Sequence, residues 1–461
     1  MKRLIIAVLA ISIFACQQEP KIDYAILSGK VENSKATAAM LKSADFKTEI
    51  AINEDGTFAD TLRIPENGFY SLSIGRESTS MYLKKGDNIN MALDIKEFDE
   101  SINYTSEGAT ENNYLVKKYL NNEAVTKDPA AFYSQDEDTY KKSLSKMASD
   151  NLQNLNALEN ADEAFVATEK NNLVYDEYSM MDRYQNYHRH YAKNPEYEIS
   201  ESFLPEELKA MSFNDSQAYK MSASYRSLAM GKTIKPIYDA IGENHLSTTT
   251  DHLKSIKDIK IQALKNDVIN SLGGFLVSPG NPNMESLYNF FVSNSTNEDS
   301  KKNLTETFEK NKDLIKGKPS PQFVNYENHK GGEMSLTDLK GKYVYVDVWA
   351  TWCGPCIREI PSLKEVEKKF HNENIEFVSA SIDQVKDHDK WVAMVKDKEL
   401  GGMQLMADND WKSKFVQDYA IQGIPRFILI DPNGNIVSAD APRPSDPKLV
   451  ELLEEELKMQ P

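Results

Sequence analysis

The sequence predicts an α/β fold at the C-terminus, residues 318–461, preceded by a small antiparallel β domain and an all-α region. The first observation is a nearly continuous apolar, β-rich run at residues 343–350, typical of a buried parallel strand, followed by apolar residues at helical spacing. The second is a β-sandwich-like alternation of apolar and polar residues across residues 22–105. The third is helical periodicity across residues 108–316.

Residues 1–16 have the pattern of a bacterial lipoprotein signal peptide. After a basic start, residues 4–15 form an apolar run that is too short for a bilayer-spanning helix of about 20 residues. Residues 13–16 resemble a lipobox, although Phe14 is bulkier than the usual residue there. We predict lipidation of Cys16 and a periplasm-facing protein anchored to the outer or inner membrane. A conventional signal peptide followed by a free Cys16 is the alternative.

The formal net charge of the chain is −17, and loss of Lys2 and Arg3 with the signal peptide makes it −19. An acidic protein of this kind is repelled by phosphate backbones and anionic lipid surfaces. We therefore predict no nucleic-acid partner, and membrane attachment only through the lipid.

The predicted β domain rests on strand-like alternation, which is clearest at Ile89, Met91 and Leu93. Asp55-Gly56 between strand-like flanks predicts a hairpin turn. This pattern indicates a small antiparallel sheet or sandwich.

The helical region shows two apolar faces, at residues 140–158 and at residues 261–272, and the second helix is expected to end at Gly273-Gly274. The many tyrosines and methionines between residues 175 and 187 favour core packing, with a substrate-binding surface as the alternative. His188 and His190 are two apart on a predicted helix and should point to different faces, which disfavours a metal site. Residues 316–319 are expected to be the linker into the C-terminal domain.

Within residues 318–461, a second core strand is predicted at residues 375–382. Helices are predicted at residues 389–400 and 411–419, a turn at Asn433-Gly434, and a final helix through residues 449–457.

The sequence Trp-Cys-Gly-Pro-Cys at residues 352–356 carries the visible chemistry. The chain has three cysteines, and the explanation given for Cys16 leaves Cys353 and Cys356 to pair with each other. Their spacing allows a short intramolecular disulfide, and a helix that begins at Cys353 favours its thiolate. Half of a zinc site is the alternative, but zinc takes about four ligands and no second Cys-x-x-Cys or His pair lies nearby. The pair therefore predicts redox chemistry.

Asp347 is the polar residue within the predicted buried strand. A surface position on an edge strand would leave it an ordinary solvated carboxylate. Burial would raise the pKa of its carboxyl and let it take a proton from the second thiol. We expect Cys353 to be exposed at the start of the helix and Cys356 to lie one turn further in.

Residues 346–356 resemble the active-site segment of the thioredoxin superfamily, and the wider context is similar to its TlpA/ResA-like envelope branch. Relatives in this branch often carry Glu or Asn where this chain has Asp347. The resemblance covers residues 318–461 and implies a thioredoxin fold. Residues 22–105 resemble the N-terminal β domain of unknown function that precedes thioredoxin domains in many Bacteroidota lipoproteins. Four segments carry the branch-level resemblance: residues 319–323 and 334–342 as lead-in strands, 359–361 after the cysteines, and 423–431 as the cis-proline loop with its following strand.

This resemblance implies a role for each site residue. Cys353 attacks a partner's disulfide as the thiolate, Cys356 resolves the mixed disulfide, and Asp347 acts as the base. A cis Ile424–Pro425 bond leaves the Ile424 backbone free to pair with an extended substrate segment. No cofactor is implied beyond the Cys353–Cys356 disulfide, and no metal. The implied substrate-binding residues are Trp352, Gly354, Pro355, Ile424 and Pro425.

The function implied is that of an envelope thiol–disulfide oxidoreductase, a reductant of the kind used in c-type cytochrome maturation. Its partners would be disulfide-containing envelope proteins and a separate electron donor. A disulfide isomerase, or a binding and assembly lipoprotein with an accessory redox domain, are the alternatives. A peroxidase of the peroxiredoxin type is disfavoured, because Val346 and Ala350 occupy the Pro and Thr positions of its Pro-x-x-x-Thr-x-x-Cys pattern.

Overall fold

The computed structural model describes residues 22–43, 46–242 and 245–458. Cys16 and the predicted signal peptide lie outside the described residues. The chain divides into two compact units, the first up to Ala229 and the second from Met230. None of the helices in the described ranges combines the length and apolarity needed to cross a bilayer.

The first unit begins with a β-sandwich of eight strands: β1 (Ala25–Glu32), β2 (Ala38–Ser43), β3 (Phe46–Ala51), β4 (Thr57–Leu62), β5 (Gly68–Ile74), β6 (Glu77–Leu83), β7 (Asn88–Asp94) and β8 (Asn103–Ser106). One sheet has the order β4-β1-β7-β8 and the other β3-β2-β5-β6. Leu27 and Ile89 from the first sheet share one buried cluster with Leu41 and Leu72 from the second. The predicted antiparallel β domain is confirmed, except that β1 and β7 pair in parallel.

The Asp-Gly turn predicted from the sequence is present, but it does not close a hairpin. Gly56 has a φ of 83°, which favours glycine. Its carbonyl oxygen accepts a hydrogen bond from the backbone N–H of Val31 at 2.9 Å. The strand before the turn, β3, pairs with β2, and the strand after it, β4, pairs with β1. The hairpin prediction is wrong because the chain crosses from one sheet to the other at this turn.

Helices complete the first unit: α1 (Phe98–Ser101), α2 (Ala109–Thr126), α3 (Pro129–Tyr133), α4 (Glu137–Asn156), α5 (Glu163–Tyr191), α6 (Glu206–Lys209) and α7 (Ser216–Met221), while α8 (Ala223–Ile241) runs past the division between the units. Helix α4 buries Tyr140, Leu144 and Met147, so the predicted apolar face is confirmed. Its N-cap residue Asp136 accepts a hydrogen bond from the backbone N–H of Thr139 at 2.9 Å.

The tyrosines of α5 and its neighbours pack against one another. The ring of Tyr184 is fully buried, with its centroid 4.3 Å from that of Tyr140. His188 is buried and its Nδ1 lies 2.8 Å from the carbonyl oxygen of Tyr133, whereas His190 is exposed. The packing interpretation is therefore the better one for this cluster, and the two imidazoles lie on different faces as predicted. Across the described residues, no group of His, Cys, Asp and Glu side chains is arranged to hold a metal ion.

The second unit contains three further helices before its sheet: α9 (Gln262–Leu276), α10 (Met284–Asn294) and α11 (Glu298–Asn311). Helix α9 continues through Gly273 and Gly274, so its predicted end is wrong. Gly273 is buried, and a Cβ at this position would lie 2.4 Å from the side chain of Leu304 on α11. The glycine therefore allows close contact between two helices instead of ending one.

The sheet of the second unit and its helices are β9 (Tyr326–Asn328), β10 (Glu333–Met334), β11 (Tyr343–Trp349), α12 (Gly354–Lys369), β12 (Ile375–Ser381), α13 (His388–Asp397), β13 (Met403–Met406), α14 (Lys414–Asp418), β14 (Arg426–Ile430), β15 (Ile436–Ser438) and α15 (Pro447–Lys458). The strand order is β10-β9-β13-β12-β11-β14-β15. Strand β11 is buried at all seven positions, parallel to β12 and antiparallel to β14. The predicted α/β fold is confirmed.

The two faces of this sheet are covered by separate hydrophobic clusters. Val346 shares one cluster with Trp391 of α13, and Tyr345 shares the other with Leu363 of α12 and Leu449 of α15. Because successive side chains of a strand point to opposite faces, Asp347 lies on the same face as Tyr345, which is the face covered by α12.

Residues 316–319 do not form a free linker. The backbone N–H of Gly317 donates to the carbonyl of Ile436, and the N–H of Ile436 donates to the carbonyl of Lys318, both at 2.8 Å. Pro319 forms a β-bridge with Asn435. The segment is therefore tied to the strand that follows the Asn433-Gly434 turn, which is present as predicted.

Candidate active site

Cys353 lies where β11 has ended and α12 begins. It is the N-cap residue of the 16-residue helix, and its Sγ accepts a hydrogen bond from the backbone N–H of Cys356 at 3.1 Å. Pro355 suits the first turn, where a backbone N–H has no partner within the helix. The helix N-terminus, with its free N–H groups and positive dipole end, therefore favours the thiolate form of Cys353.

Cys353 and Cys356 are joined by a disulfide bond. Both residues are buried, with exposed fractions of 3% and 4%. The expectation that Cys353 is exposed is therefore wrong for this oxidised state. The bond turns Cys353 Sγ toward Cys356, and the two residues belong to the hydrophobic cluster against which Ile424 packs. Reactivity at Cys353 must come from the helix start, because exposure does not distinguish the two sulfurs.

Trp352 is an exposed aromatic residue beside the disulfide. Its side chain is 56% exposed, and its ring centroid lies 6.4 Å from that of Trp411. Thr351 and Trp352 also line an open groove whose other wall is formed by α13. The exposed indole of Trp352, beside a groove lined by both apolar and charged side chains, is suited to contact with another polypeptide.

The peptide bond between Ile424 and Pro425 is cis, as the resemblance implies. Pro425 immediately precedes β14, which pairs with the strand that leads to the cysteines. Arg426, the first residue of β14, forms an ion pair with Asp440, with Nη1 and Oδ1 2.7 Å apart. Ile424, before β14, packs against the hydrophobic cluster that contains the disulfide.

Asp347 is buried in the middle of β11, opposite Ser379 on β12. Burial raises the pKa of its carboxyl to about 8, and the negative charges of Glu359 and Glu367 contribute to the increase. Asp347 and Cys356 line the same small cavity beneath the disulfide. At neutral pH the carboxyl is therefore mostly protonated and lies close to the second sulfur of the pair.

Four polar residues of this cavity were not anticipated from the sequence: Lys364, Glu367, Ser379 and Gln404. Burial raises the pKa of the half-buried Glu367 to about 7, partly offset by the positive charge of Lys364. One sequence signal could have identified Glu367, because it follows Ile360 by seven positions and therefore lies on the same helical face.

A second carboxylate missed from the sequence positions the segment before the cysteines. Asp383, fully buried after the end of β12, accepts hydrogen bonds from the backbone N–H of Thr351 at 2.8 Å and from its Oγ1 at 2.7 Å. Ser381 Oγ donates to the same carboxylate at 2.7 Å. These bonds fix the turn that leads into Trp352 and Cys353.

Glu359, one turn after Cys356, is buried and held by other contacts. Its carboxylate accepts hydrogen bonds from the backbone N–H and the Oγ of Ser445 at 2.9 and 3.0 Å. Its Oε1 lies 3.8 Å from Nη1 of Arg443. These bonds commit the Glu359 carboxylate to the C-terminal segment, although its charge is felt at Asp347.

Comparison with known proteins identifies relatives of this domain. The AhpC/TSA family profile matches residues 317–439. The thiol-disulfide oxidoreductase ResA of Bacillus anthracis is 30% identical over 121 residues, which are 26% of this chain and 66% of that protein. ResA of Bacillus subtilis is 29% identical over 124 residues, 27% of this chain and 66% of that protein. The chain thus spans 66% of the length of these curated relatives.

Two solved structures from Bacteroides vulgatus are similar to part of this chain. One is 49% identical and covers 31% of this chain and 92% of its own, with a TM-score of 0.28. The other, the thioredoxin domain of a thiol-disulfide oxidoreductase, is 29% identical and covers 31% of this chain and 99% of its own, also with a TM-score of 0.28.

The matched residues include the strand, the cysteine pair, the helix and the cis-proline loop described above. Residues 317–439 thus form a thioredoxin-like domain that is similar to the AhpC/TSA family and to the ResA thiol-disulfide oxidoreductases.

Proposed function

We propose that this chain is a thiol–disulfide oxidoreductase that reduces disulfide bonds in partner proteins. The observation that carries the proposal is the Cys353–Cys356 disulfide at the N-terminus of α12, above a cavity that Cys356 shares with Asp347. The thiol-disulfide oxidoreductase relatives support the same reaction class.

In the reduced enzyme, the Cys353 thiolate attacks one sulfur of a substrate disulfide. A mixed disulfide forms, and the first substrate thiolate leaves. Cys356 then loses its proton, and its thiolate attacks Cys353 Sγ, which releases the second substrate thiolate. The enzyme dithiol is oxidised by two electrons and the substrate disulfide is reduced by two. An electron donor that supplies two electrons returns the enzyme to the dithiol state.

Asp347 accepts the proton of Cys356 when the enzyme disulfide closes and returns it when the disulfide opens. When the enzyme disulfide forms, Asp347 in its deprotonated form, which is the minor form at neutral pH, accepts the proton from the Cys356 thiol, directly or through one water. When the donor reopens the disulfide, the protonated Asp347 returns the proton to the Cys356 thiolate. A raised pKa suits both tasks, because proton transfer is most efficient when the pKa of the acid–base group lies near the working pH.

The substrate would lie across the surface formed by Trp352, Gly354 and Pro355 on one side and Ile424 and Pro425 on the other. Trp352 offers exposed apolar area, and the residues before β14 offer backbone groups for pairing with an extended segment. A short added strand of this kind recognises polypeptide backbone with little demand on side-chain identity. The substrate class is therefore disulfide-containing protein.

For the whole protein we propose an envelope location, because disulfide chemistry persists in oxidising compartments. Lipid on Cys16 would hold the protein at the membrane, with its partners being disulfide-containing envelope proteins and a separate electron donor. Reduction of disulfides to the thiols required in c-type cytochrome maturation is one task that fits such a reductant.

The reaction class can be tested with the chain from Glu19 onward and dithiothreitol as the electron donor. We expect many turnovers of insulin disulfide reduction per enzyme molecule, measured by insulin precipitation. A disulfide isomerase, added in its reduced form and without an oxidant, would instead reactivate scrambled ribonuclease faster than it reduces insulin. If neither substrate is turned over above the dithiothreitol background, the oxidoreductase proposal is wrong and a binding role gains support.

Replacement of Cys16 tests the proposed anchor. We expect Cys16→Ser to move the protein from the membrane fraction to the soluble fraction or to leave an unprocessed precursor, because the described residues contain no spanning helix. Fractionation and incorporation of labelled palmitate provide the measurement. The purified variant should reduce insulin at the rate of the unchanged chain. A Cys16→Ser protein that still carries lipid and stays at the membrane would contradict the assignment.

A further inference from the structure

A narrow cavity beneath the disulfide contains two carboxyl groups. It has a volume of about 10 Å³, and its lining includes Asp347, Cys356 and Glu367. Asp347 is 9% exposed, whereas Glu367 is only half-buried. The cavity therefore joins a carboxyl beside the reacting sulfur to one that reaches solvent.

The polar atoms of this cavity are incompletely satisfied by protein. Oδ1 of Asp347 and Oε1 of Gln404 are buried and have no hydrogen-bond partner among the described residues. Gln404, on β13, is 5% exposed and its amide nitrogen donates to the carbonyl of Gly401 at 2.7 Å. A cavity of this size and polarity can admit about one water molecule, which needs two to four polar partners. The lining is therefore suited to carrying a proton.

Two consecutive glycines make room for the Glu367 carboxylate. A Cβ at Gly401 would lie 2.1 Å from Glu367 Oε2, and a Cβ at Gly402 would lie 3.0 Å from Glu367 Oε1. Gly402 also has a φ of 58°, which favours glycine. Any side chain at position 401 would displace the carboxylate, so the segment before β13 is shaped around Glu367.

The charged groups around the cavity favour the sharing of one proton between Asp347 and Glu367. Asp347 experiences the negative charges of Glu359 and Glu367, and Glu367 experiences the positive charge of Lys364. Tyr345, on the same strand face as Asp347, donates to the carbonyl of Pro442 at 2.8 Å, and burial raises the pKa of its hydroxyl well above the ordinary value. The pKa of Asp347 is about 8 and that of Glu367 about 7, values close enough for a proton to pass either way near neutral pH.

We propose that Glu367 carries the proton between Asp347 and solvent each time the Cys353–Cys356 disulfide closes or opens. This inference rests on the proposed oxidoreductase function. Glu367 does not act on a sulfur. It is a positioning residue, because it affects the Cys356 proton only through Asp347. Leu363 and Leu400 form an apolar part of the cavity lining, and the ammonium group of Lys364, which also lines the cavity, donates to the carbonyl of Lys398 at 2.5 Å.

The proton balance is simple. As the enzyme disulfide closes, the proton leaves Cys356 Sγ for the Asp347 carboxylate, passes to the Glu367 carboxylate and from there to solvent. As the disulfide opens, the same proton path runs inward and ends on Cys356 Sγ. The electrons move only between the sulfur atoms, and neither carboxyl group is oxidised or reduced.

Glu367→Gln removes the relay while keeping the shape of the side chain. We expect single-turnover closure of the enzyme disulfide, followed in the chain from Glu19 onward by stopped-flow tryptophan fluorescence, to slow about fivefold at pH 7 and less than twofold at pH 9, where hydroxide removes the proton. Glu367→Asp should recover most of the rate. Glu365→Gln, an exposed position on the same helix, is the matched control and should leave the rate unchanged. Equal rates for Glu367→Gln and the unchanged chain from pH 6 to pH 9 would overturn the proposal.

Gly401→Ala tests the same idea without changing any charge. The new methyl group should push the Glu367 carboxylate out of the cavity and slow closure to a similar extent, while adding little in the Glu367→Gln background. If the two substitutions slow closure independently, so that their effects multiply, Gly401 does not act by making room for the Glu367 carboxylate.

A readout without turnover separates this inference from the proposed function. The carbonyl stretch of protonated Asp347, obtained as the infrared difference between the oxidised chain and its Asp347→Asn variant, gives the pKa of that carboxyl. We expect Glu367→Gln to lower this pKa, because a neighbouring negative charge is removed. An unchanged pKa would show that the two carboxyls are not coupled and would overturn the relay. A lowered pKa in a chain that reduces no protein disulfide would instead count against the proposed function alone.

Discussion

Replacing Cys353 with serine is expected to abolish disulfide reduction, whereas Cys356→Ser should stop the enzyme after one chemical event. Cys353 is the N-cap of α12, with its sulfur facing the free N–H groups of the helix, so it is the sulfur that attacks. We expect Cys353→Ser to lower insulin reduction by at least about a thousandfold, which is typical for loss of a nucleophile. In Cys356→Ser the attack still occurs, and a covalent mixed disulfide accumulates because the resolving sulfur is missing.

Mass spectrometry of the trapped species provides the measurement. Incubation of the reduced variants with a protein disulfide should yield an adduct on Cys356→Ser through Cys353 and none on Cys353→Ser. The double variant Cys353→Ser/Cys356→Ser is the control for adventitious thiol exchange. Adducts that form through Cys356 in the Cys353→Ser chain, at a rate comparable with the reverse case, would contradict the assignment of the attacking sulfur. The same Cys356→Ser chain can then capture partners from the envelope.

Asp347→Asn is expected to stabilise the oxidised C-terminal domain while slowing its chemistry. The pKa of Asp347 is raised to about 8 in the folded state by burial and by the charges of Glu359 and Glu367. The unfolded chain releases this proton at the ordinary carboxyl pKa, so folding stability falls as the pH rises from about 4 toward 8. Asparagine carries no charge in either state and removes this loss. At about 1.4 kcal/mol per pH unit, the gain in the free energy of unfolding at pH 7 should reach as much as about 4 kcal/mol.

The pH dependence makes this prediction specific. The stability gain should vanish near pH 4, where both states hold the proton, and reach its full size above pH 8. All four tryptophans of the chain lie in the C-terminal domain, at positions 349, 352, 391 and 411. Tryptophan fluorescence during denaturant unfolding of the chain from Glu19 onward therefore reports on this domain. A gain of equal size at pH 4 and pH 8 would show that packing, not charge burial, is responsible.

Asp383→Asn is the matched control for this substitution. Its carboxylate is also buried, but it accepts three hydrogen bonds, from Thr351 N–H, Thr351 Oγ1 and Ser381 Oγ. Loss of bonds to a charged acceptor should destabilise the domain by about 2 kcal/mol, the opposite sign to Asp347→Asn.

Turnover of Asp347→Asn should be about tenfold slower at pH 7 and recover as the pH rises, because hydroxide replaces the missing base.

The sequence by itself determined which residues carry the redox chemistry and which element positions them. The spacing of Cys353 and Cys356 is a local property, and so is the junction between a buried strand and an amphipathic helix. The burial of Asp347 could also be predicted, because six apolar or aromatic neighbours in β11 leave no solvent-facing side for it. The cis bond at Pro425 was predicted from resemblance, since proline alone makes trans the commoner state.

Local patterns were misleading where the partner of a segment lies far along the chain. Asp55-Gly56 makes a turn, yet the strands around it pair with β2 and β1 instead of with each other. Gly273 does not end α9, because its role is contact with Leu304. Burial of Cys353 could not be predicted either, because it depends on the disulfide and on a cluster that Ile424, some 70 residues away, helps to cover.

Only the tertiary structure decided how the site controls its proton. Glu367 is twenty residues from Asp347 in sequence and Gly401 more than thirty residues further along, and they meet only because α12 packs across β11 and the segment before β13 closes beside them. The physical reason is that the pKa of a buried carboxyl depends on desolvation and on distances to other charges, which periodicity does not encode. The chain thus shows its nucleophile in sequence, whereas the path of the proton exists only in the folded domain.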